Sequence, residues 1–187
     1  MDLQTYFNDY EAKLRECLKD VQNRQGLTDA VKLLKTTKQT STKIILVGNG
    51  GSSAIAEHMA IDLTKNAGLK AITVSGSPMI TTFSNDFGYD KVFQKAIEAF
   101  GDPGDILIAI SSGGTSKNVL NACVAARTKQ MQVITFSGFG ADNPLRQQGD
   151  INIWVNSRAF GYVELIHNLL LHYVNDAIIG AAEYMIR

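Results

Sequence analysis

His58 and Asp62 stand four residues apart at the end of IILVGNGGSSAIAEHMAIDL, Ile44 to Leu63, where an apolar run breaks into a glycine- and serine-rich turn and a helical pattern begins. Four residues is just over one helical turn, so the imidazole and the carboxylate share a face. Held together, they can trade a proton near neutral pH or ligate one metal ion. The same spacing also arises as an ordinary surface hydrogen bond, so its meaning rests on what lies beside it. Beside it is the turn GNGGSS, Gly48 to Ser53, and a second turn of the same texture, SSGGTS, Ser111 to Ser116, follows another apolar run. Glycines let backbone approach an anion closely, while hydroxyls and amides donate to its oxygens, so two such turns read together as a phosphate cradle. Either turn alone is equally well explained as a tight strand-to-helix connection.

Elements that would bring these groups together are visible in the hydrophobic pattern. KIILVG (43–48), AITVSG (71–76), DILIAIS (105–111), MQVITFSG (131–138) and DINIWV (150–155) are short and almost unbroken in their hydrophobicity. Strands with that character are buried on both faces, which predicts a five-stranded parallel sheet with helical crossovers. Helix patterns fall near 53–66, 90–100 and 116–129, with shorter helical turns near 78–84 and 142–148 and a last long helix from about Gly161 to the C-terminus. Two further helical patterns, roughly Leu3 to Arg24 and Leu27 to Leu34, precede the first strand. The fold class read from this is α/β: a doubly wound parallel sheet with N-terminal helices and a long C-terminal helix. No linker or repeat divides it, so residues 1–187 are expected to form a single domain with residues 1–40 as a helical extension packed on it. In such sheets ligands sit beyond the carboxyl ends of the strands, where both turns fall.

Composition narrows the function classes. With 18 Lys and Arg against 18 Asp and Glu, the formal net charge is zero, and no global field draws the chain to nucleic acid or to an anionic membrane. Cys17 and Cys123 lie far apart without metal-type spacing and are expected to be reduced thiols. The start, MDLQTYFNDYEAKLREC, is too charged for a signal peptide, and the most apolar segment, Tyr162 to Ala182, carries Glu164, two histidines, Asn168, Asn175 and Asp176, which argues against a membrane span. A cytoplasmic protein is expected. Nucleotide readings of the turns also fail: Ser53 stands where a dinucleotide fingerprint wants its third glycine, no acidic residue ends AITVSG, and neither turn carries the lysine of a P-loop.

GNGGSS with a histidine six residues after Ser52, SNDFG (84–88), GDILIAISSGGTSKNVLNA (104–122) and VITFSG (133–138) together resemble the sugar isomerase (SIS) domain family, and within it the bacterial phosphoheptose isomerase branch. The resemblance covers nearly the whole chain. It implies a flavodoxin-like SIS fold and interconversion of sedoheptulose 7-phosphate with a heptose 7-phosphate destined for surface polysaccharide. It further implies zinc, and a homotetramer with active sites at subunit interfaces. The family's phosphosugar-binding residues fall on Asn49, Gly50, Gly51 and Ser52, on Asn85 and Asp86, and on Ser111, Ser112, Gly113 and Ser116, with Glu164 also at the substrate. Its metal and acid/base residues fall on His58, Asp62, Glu164 and His172.

Three positions depart from the family pattern. Asp62 stands where Glu is usual, which shortens the side chain by one methylene; Glu164 stands where Gln is usual, which brings in a second carboxylate; and Gly113 replaces a phosphate-binding serine. A Glu at 164 offers a base or metal ligand that compensates for the shorter Asp62. His172 is selected by its offset of eight residues from Glu164, but His167, at i+3, is the nearer neighbour on an unbroken helix and stands as the alternative, and either imidazole also reads as a packed helix histidine. Leu165, Leu169 and Tyr173 continue an apolar helix expected to pack on a partner subunit, as are Tyr6, Phe7 and Tyr10. Lys65 and Lys70 read as solvated lysines or phosphate-steering charges, Asp102 and Asp105 as shapers of the turn into the third strand, and Trp154 as core. A non-catalytic alternative of the same fold is a phosphosugar sensor, or an adaptor like the family branch that binds a replication initiator. That branch does not keep the metal and acid/base set intact, whereas both histidine-bearing helices here retain ionisable residues.

Overall fold

The computed structural model describes residues 2–21 and 24–183. The chain runs through α1 (Leu3–Lys19), α2 (Arg24–Thr36), β1 (Ile44–Gly48), α3 (Gly51–Lys65), β2 (Ala71–Thr73), α4 (Ser77–Phe87), α5 (Val92–Phe100), β3 (Ile106–Ser111), α6 (Lys117–Thr128), β4 (Gln132–Ser137), β5 (Ile151–Trp154) and α7 (Phe160–Ile179). The five strands form one sheet in the order β2-β1-β3-β4-β5, every neighbouring pair parallel. The chain steps outward from β1 to β2 and then crosses back over β1 to β3, so the carboxyl ends of β1 and β3 flank the point where the winding reverses, and a crevice opens there.

Alternation along the strands divides the core between the two faces. Ile44, Leu46, Ile106, Ile108, Ile110, Ile134 and Phe136 pack against α3, α7 and the N-terminal helices. Ile45, Val47, Leu107, Ala109 and Val133 pack against α5 and α6. β1 and β3 are buried at every position, and each Ile, Leu or Val so removed from water contributes about 1.5–3 kcal/mol. The unbroken hydrophobicity that marks a buried strand therefore belongs to the centre of the sheet. At the edge β2 is only three residues long, with Ile72 exposed, and Thr64 Oγ1 takes over the hydrogen bonding of Ala71. At the opposite end of the sheet from the crevice, Asp105 is buried beside Lys43, at 2.5 Å from Nζ, and accepts the backbone N–H groups of Lys43 and Asp102. It shapes the entry into β3, as the sequence predicts.

Three helices differ from the sequence expectation. α1 ends at Lys19, where Asp20 serves as its C-cap, rather than continuing to Arg24. α4 is an 11-residue helix instead of a short turn: Pro78 opens it and Gly88, at φ 86°, closes it. No residue of α4 is buried, so it rests on the protein through the partly buried Met79, Ile80 and Phe83. α7 stops at Ile179 because Gly180 adopts a left-handed conformation and its N–H bonds Asp176 O; the remainder of the expected helix, from 184, lies outside the described residues. The two cysteines are buried in different core clusters, and burial pushes the Cys123 thiol up to about 12.

Candidate functional site

Two strand ends set the floor of the site. Gly48 of β1 lies in register with Ile110 of β3, so the turns that follow leave the sheet side by side. After β1 the chain reverses through Gly50, whose φ of 52° and ψ of −123° suit a residue without a Cβ, and α3 begins at once. After β3 it passes through Ser112–Thr115 to Ser116, the N-cap of α6. The Ser116 hydroxyl makes no capping bond to its own helix and instead lies 3.2 Å from Ser111 Oγ.

A cavity of about 740 Å³ opens over these turns, lined by Asn49, Ser52, Ser111, Ser112, Gly113, Thr115, Ser116, Phe139, Asn143, Phe160 and Glu164 among others. Ser112 Oγ is buried and bonds nothing among the described residues, a hydroxyl placed for something inside the cavity. Among the described residues that line it there is no lysine or arginine. The cavity therefore offers an anion hydroxyls, amides and the N-termini of α3 and α6 rather than a counter-ion. At Gly113, a Cβ would sit 3.7–3.9 Å from Thr115 Oγ1 and the Phe139 ring, ordinary contact distances, so the turn has room for a side chain there.

Above this floor the site continues along the groove between α3 and α7. Glu164 lies against Gly51 so closely that a Cβ there would come within 2.5–2.7 Å of its carboxylate. A second cavity of about 430 Å³, lined by Gly51, Ala54, Ile55, His58, Gly161, Glu164, Leu165 and Asn168, shares Glu164 with the first. Farther along, Asp62 Oδ2 stands 3.4 Å from His58 Nε2 and 3.6 Å from His172 Nδ1, with the two imidazoles edge to face at 4.9 Å. Donor atoms of these three residues all lie within 4.8 Å of one another. Glu164, Asn168 and His172 recur every four residues, a polar stripe on a helix that is otherwise largely apolar.

The sequence candidates are thus gathered unevenly. Asn49, Ser52, Ser111, Ser112, Gly113, Ser116 and Glu164 share the first cavity; Gly51, His58 and Glu164 share the second; Gly50 makes the turn between β1 and α3. His58, Asp62 and His172 form one group, of which Glu164 is not a member. Asn85 and Asp86 are exposed on the last turn of α4, bonded to each other at 2.9 Å, and line neither cavity. His167 is turned away from the site. It is fully buried, with Nε2–H donating to Ser137 O at 3.1 Å and the ring edge-on to Phe136. Burial drives its pKa down to about 4, against the opposing effect of that hydrogen bond, so it is a neutral core histidine at physiological pH. Its neighbours Val163, Ile166, Leu170 and Val174 are buried as well, an apolar periodicity that places residue 167 in the buried face.

Sequence reading missed Phe139 and Phe160, which pack edge to face at 4.9 Å on the cavity wall, Phe139 at the unusual φ of 58°. It also missed Asn118 and Tyr89, which hold Asn49 from behind, and Asn168 between Glu164 and His172. Asn168 carried a sequence signal in its i+4 spacing from Glu164, and Asn118 lay within the 104–122 segment that carries the family resemblance.

A family model for the SIS domain matches residues 6–138. Phosphoheptose isomerase from Sodalis glossinidius is 33% identical over 178 residues, covering 92% of this chain and 90% of its own length. The enzyme of that name from Salmonella newport is 35% identical over 176 residues, 91% and 90% of the two chains. The solved structure of phosphoheptose isomerase from Neisseria gonorrhoeae superposes with a TM-score of 0.87 at 29% identity, covering 94% of this chain and 99% of that one.

Proposed function

This chain belongs to the SIS domain family, and from that premise we propose that it is an aldose–ketose isomerase acting on a phosphorylated ketose, sedoheptulose 7-phosphate or a close relative. The observation that carries the reading is Glu164, a carboxylate common to the cavity over the serine turns and to the one that reaches His58. Relatives named phosphoheptose isomerase, aligned over nine-tenths of the chain, support the heptose.

In this reading Ser111, Ser112, Ser116, Ser52 and Asn49 bind the phosphate as neutral donors, and Gly50 and Gly51 let backbone come close to it. Anchoring that end fixes the sugar's other end against the α3–α7 groove. Glu164 takes the proton bound to C1 of the ketose and returns it to C2 through an enediolate, while the hydroxyl proton of O1 passes to O2; the product is the aldose. Asn85 and Asp86, apart from both cavities, have no step in this chain's own site.

His58, Asp62 and His172 fit a zinc ion. Two ligand atoms each about 2.0–2.1 Å from tetrahedral zinc lie roughly 3.4 Å apart, and the carboxylate stands 3.4 and 3.6 Å from the two imidazole nitrogens. Those separations exceed well-formed hydrogen bonds. When bound there, zinc would act as a Lewis acid on the oxygens of the enediolate. Leu165 lines the second cavity and Leu169 and Tyr173 the groove between α7 and the N-terminal helices; with Ile61 they leave large apolar side chains exposed, which supports assembly into a tetramer with the sites near subunit boundaries. No helix among the described residues is long and apolar enough to cross a membrane, which agrees with a cytoplasmic enzyme. We take residues 1–187 as one domain, with a heptose phosphate for surface polysaccharide as product.

The test is proton exchange. Incubated with sedoheptulose 7-phosphate in deuterated water, the protein is expected to place deuterium on carbon of the recovered sugar phosphate. Binding without incorporation would replace the isomerase with a phosphosugar sensor or adaptor.

A further inference from the structure

Asn49 is the first residue of the cavity floor, and its amide is held by two groups from distant parts of the chain. Asn49 Nδ2 donates to Asn118 Oδ1 at 2.9 Å and Asn118 Nδ2 donates back to Asn49 Oδ1 at 2.9 Å. Tyr89 Oη donates to the same Asn49 Oδ1 at 2.8 Å. The backbone N–H of Val119 points at Asn118 Oδ1, 3.0 Å away.

A backbone N–H can only donate, so the atom it meets on Asn118 must be the oxygen. That choice makes the facing atom of Asn49 its nitrogen, and the other pair follows with the opposite polarity. Asn49 Oδ1 then accepts from Asn118 and Tyr89, which fills both its lone pairs, and one of the two Nδ2 hydrogens is taken by Asn118. A single N–H is all the hydrogen-bonding capacity the Asn49 side chain has left, and Asn49 lines the cavity.

We infer that Asn118 and Tyr89 are positioning residues for the phosphate: Asn118, oriented by the Val119 N–H, sets the polarity of the Asn49 amide, and Tyr89 holds it there by occupying the second lone pair of the oxygen, so that the cavity is offered a donor and not the acceptor. A freely rotating amide would present its oxygen to a phosphate dianion as readily as its nitrogen. The lock begins at the N-terminus of α6 and is completed by Tyr89, just after the SNDFG segment, so that segment reaches the cradle through the tyrosine hydroxyl even though Asn85 and Asp86 do not. Tyr89 is itself half exposed, and its ring has little packing to lose. This inference rests on the phosphate-binding reading of the cavity.

Inorganic phosphate is the probe, titrated calorimetrically into the purified full chain and into Tyr89→Phe, Asn49→Ala and the double variant, with thermal unfolding of each recorded. Loss of one exposed hydrogen bond that orients the amide is expected to weaken phosphate binding about three- to tenfold in Tyr89→Phe. With Asn49→Ala already present, Tyr89→Phe is expected to cost nothing further, because the tyrosine acts only through the amide. Tyr89→Phe should also raise KM for the sugar phosphate with kcat little changed. Equal losses from Tyr89→Phe in both backgrounds, or none in the otherwise unaltered chain, would overturn the inference and leave the cradle standing. A parent protein that binds no phosphate would sink both together.

Discussion

Acidification separates the roles of the two histidines on α7. His167 is fully buried, its Nε2–H bonded to Ser137 O and its Nδ1 without a partner among the described residues, and burial lowers its pKa to about 4. The unfolded chain has an ordinary imidazole near 6.5, so between those values the unfolded state binds a proton that the folded state refuses. Stability from this group is whole above pH 6.5 and falls as the pH drops, by about 1.4 kcal/mol per unit, until the folded form also protonates near 4. The full loss is about 3 kcal/mol, a large part of a typical domain's net stability. His167→Gln keeps an amide N–H within reach of Ser137 O and removes the titration. Urea unfolding of both proteins at one fixed concentration, from pH 7.5 to 4.5, is expected to show the parent losing about 2 to 3 kcal/mol relative to the variant. The variant should retain isomerase activity at pH 7.5, whereas His172→Ala should lose it. Parallel stability curves, or an imidazole of residue 167 that titrates near 6.5 by NMR, would refute the burial argument.

Two further outcomes test the groove between α3 and α7. Gly51→Ala inserts a Cβ within 2.5–2.7 Å of the Glu164 carboxylate, which is the free end of a flexible chain and swings aside. The melting temperature is expected to hold, since the carboxylate can move aside, while kcat/KM falls on the order of a hundredfold from its displacement; unchanged turnover would remove Glu164 from the chemistry. Metal analysis of the purified protein is expected to find zinc that Asp62→Asn and His58→Ala each reduce at least tenfold, and a parent protein with no more zinc than those variants would dismiss the three-residue site.

What the sequence made legible, and what it hid, follows from the reach of each interaction. The turns after β1 and β3 were readable because a parallel sheet writes its central strands as unbroken apolar runs, and glycine and serine clusters mark where they end. His58 and Asp62 were readable because a helix repeats its face within four residues. For His167 the same rule misled: i+3 spacing brings it near Glu164 along the surface of an isolated helix, but Val163, Ile166, Leu170 and Val174 decide which face meets the sheet, and His167 lies among them. Spacing tells which side chains are neighbours, and only the flanking apolar residues tell which way they face. Asn118 and Tyr89 were hidden for another reason. They meet Asn49 across 69 and 40 residues, through contacts that exist only once β1 and β3 are side by side.

The absence of lysine and arginine from the described lining of the cavity bears on how one site can both hold a phosphate and abstract a proton from carbon. A cation beside the phosphate would strengthen the grip, but an opposite charge within about 4–6 Å of a carboxylate lowers its pKa by about 1–3 units and weakens it as a base. Glu164 lines the same cavity as the serine turns, so an ammonium placed there would act on both. Hydroxyls, amides and helix N-termini carry partial charges that fall off over a short distance, and they hold the anion without acidifying its neighbour. Neutral donors have to be aimed, however, because each contributes along one direction only. That requirement accounts for a cradle whose hydroxyls and amide are tied to one another: Ser116 to Ser111, and Asn49 to Asn118 and Tyr89. The cradle gives up the long-range attraction of a cation and leaves the Glu164 carboxylate without an opposite charge beside it among the described lining residues.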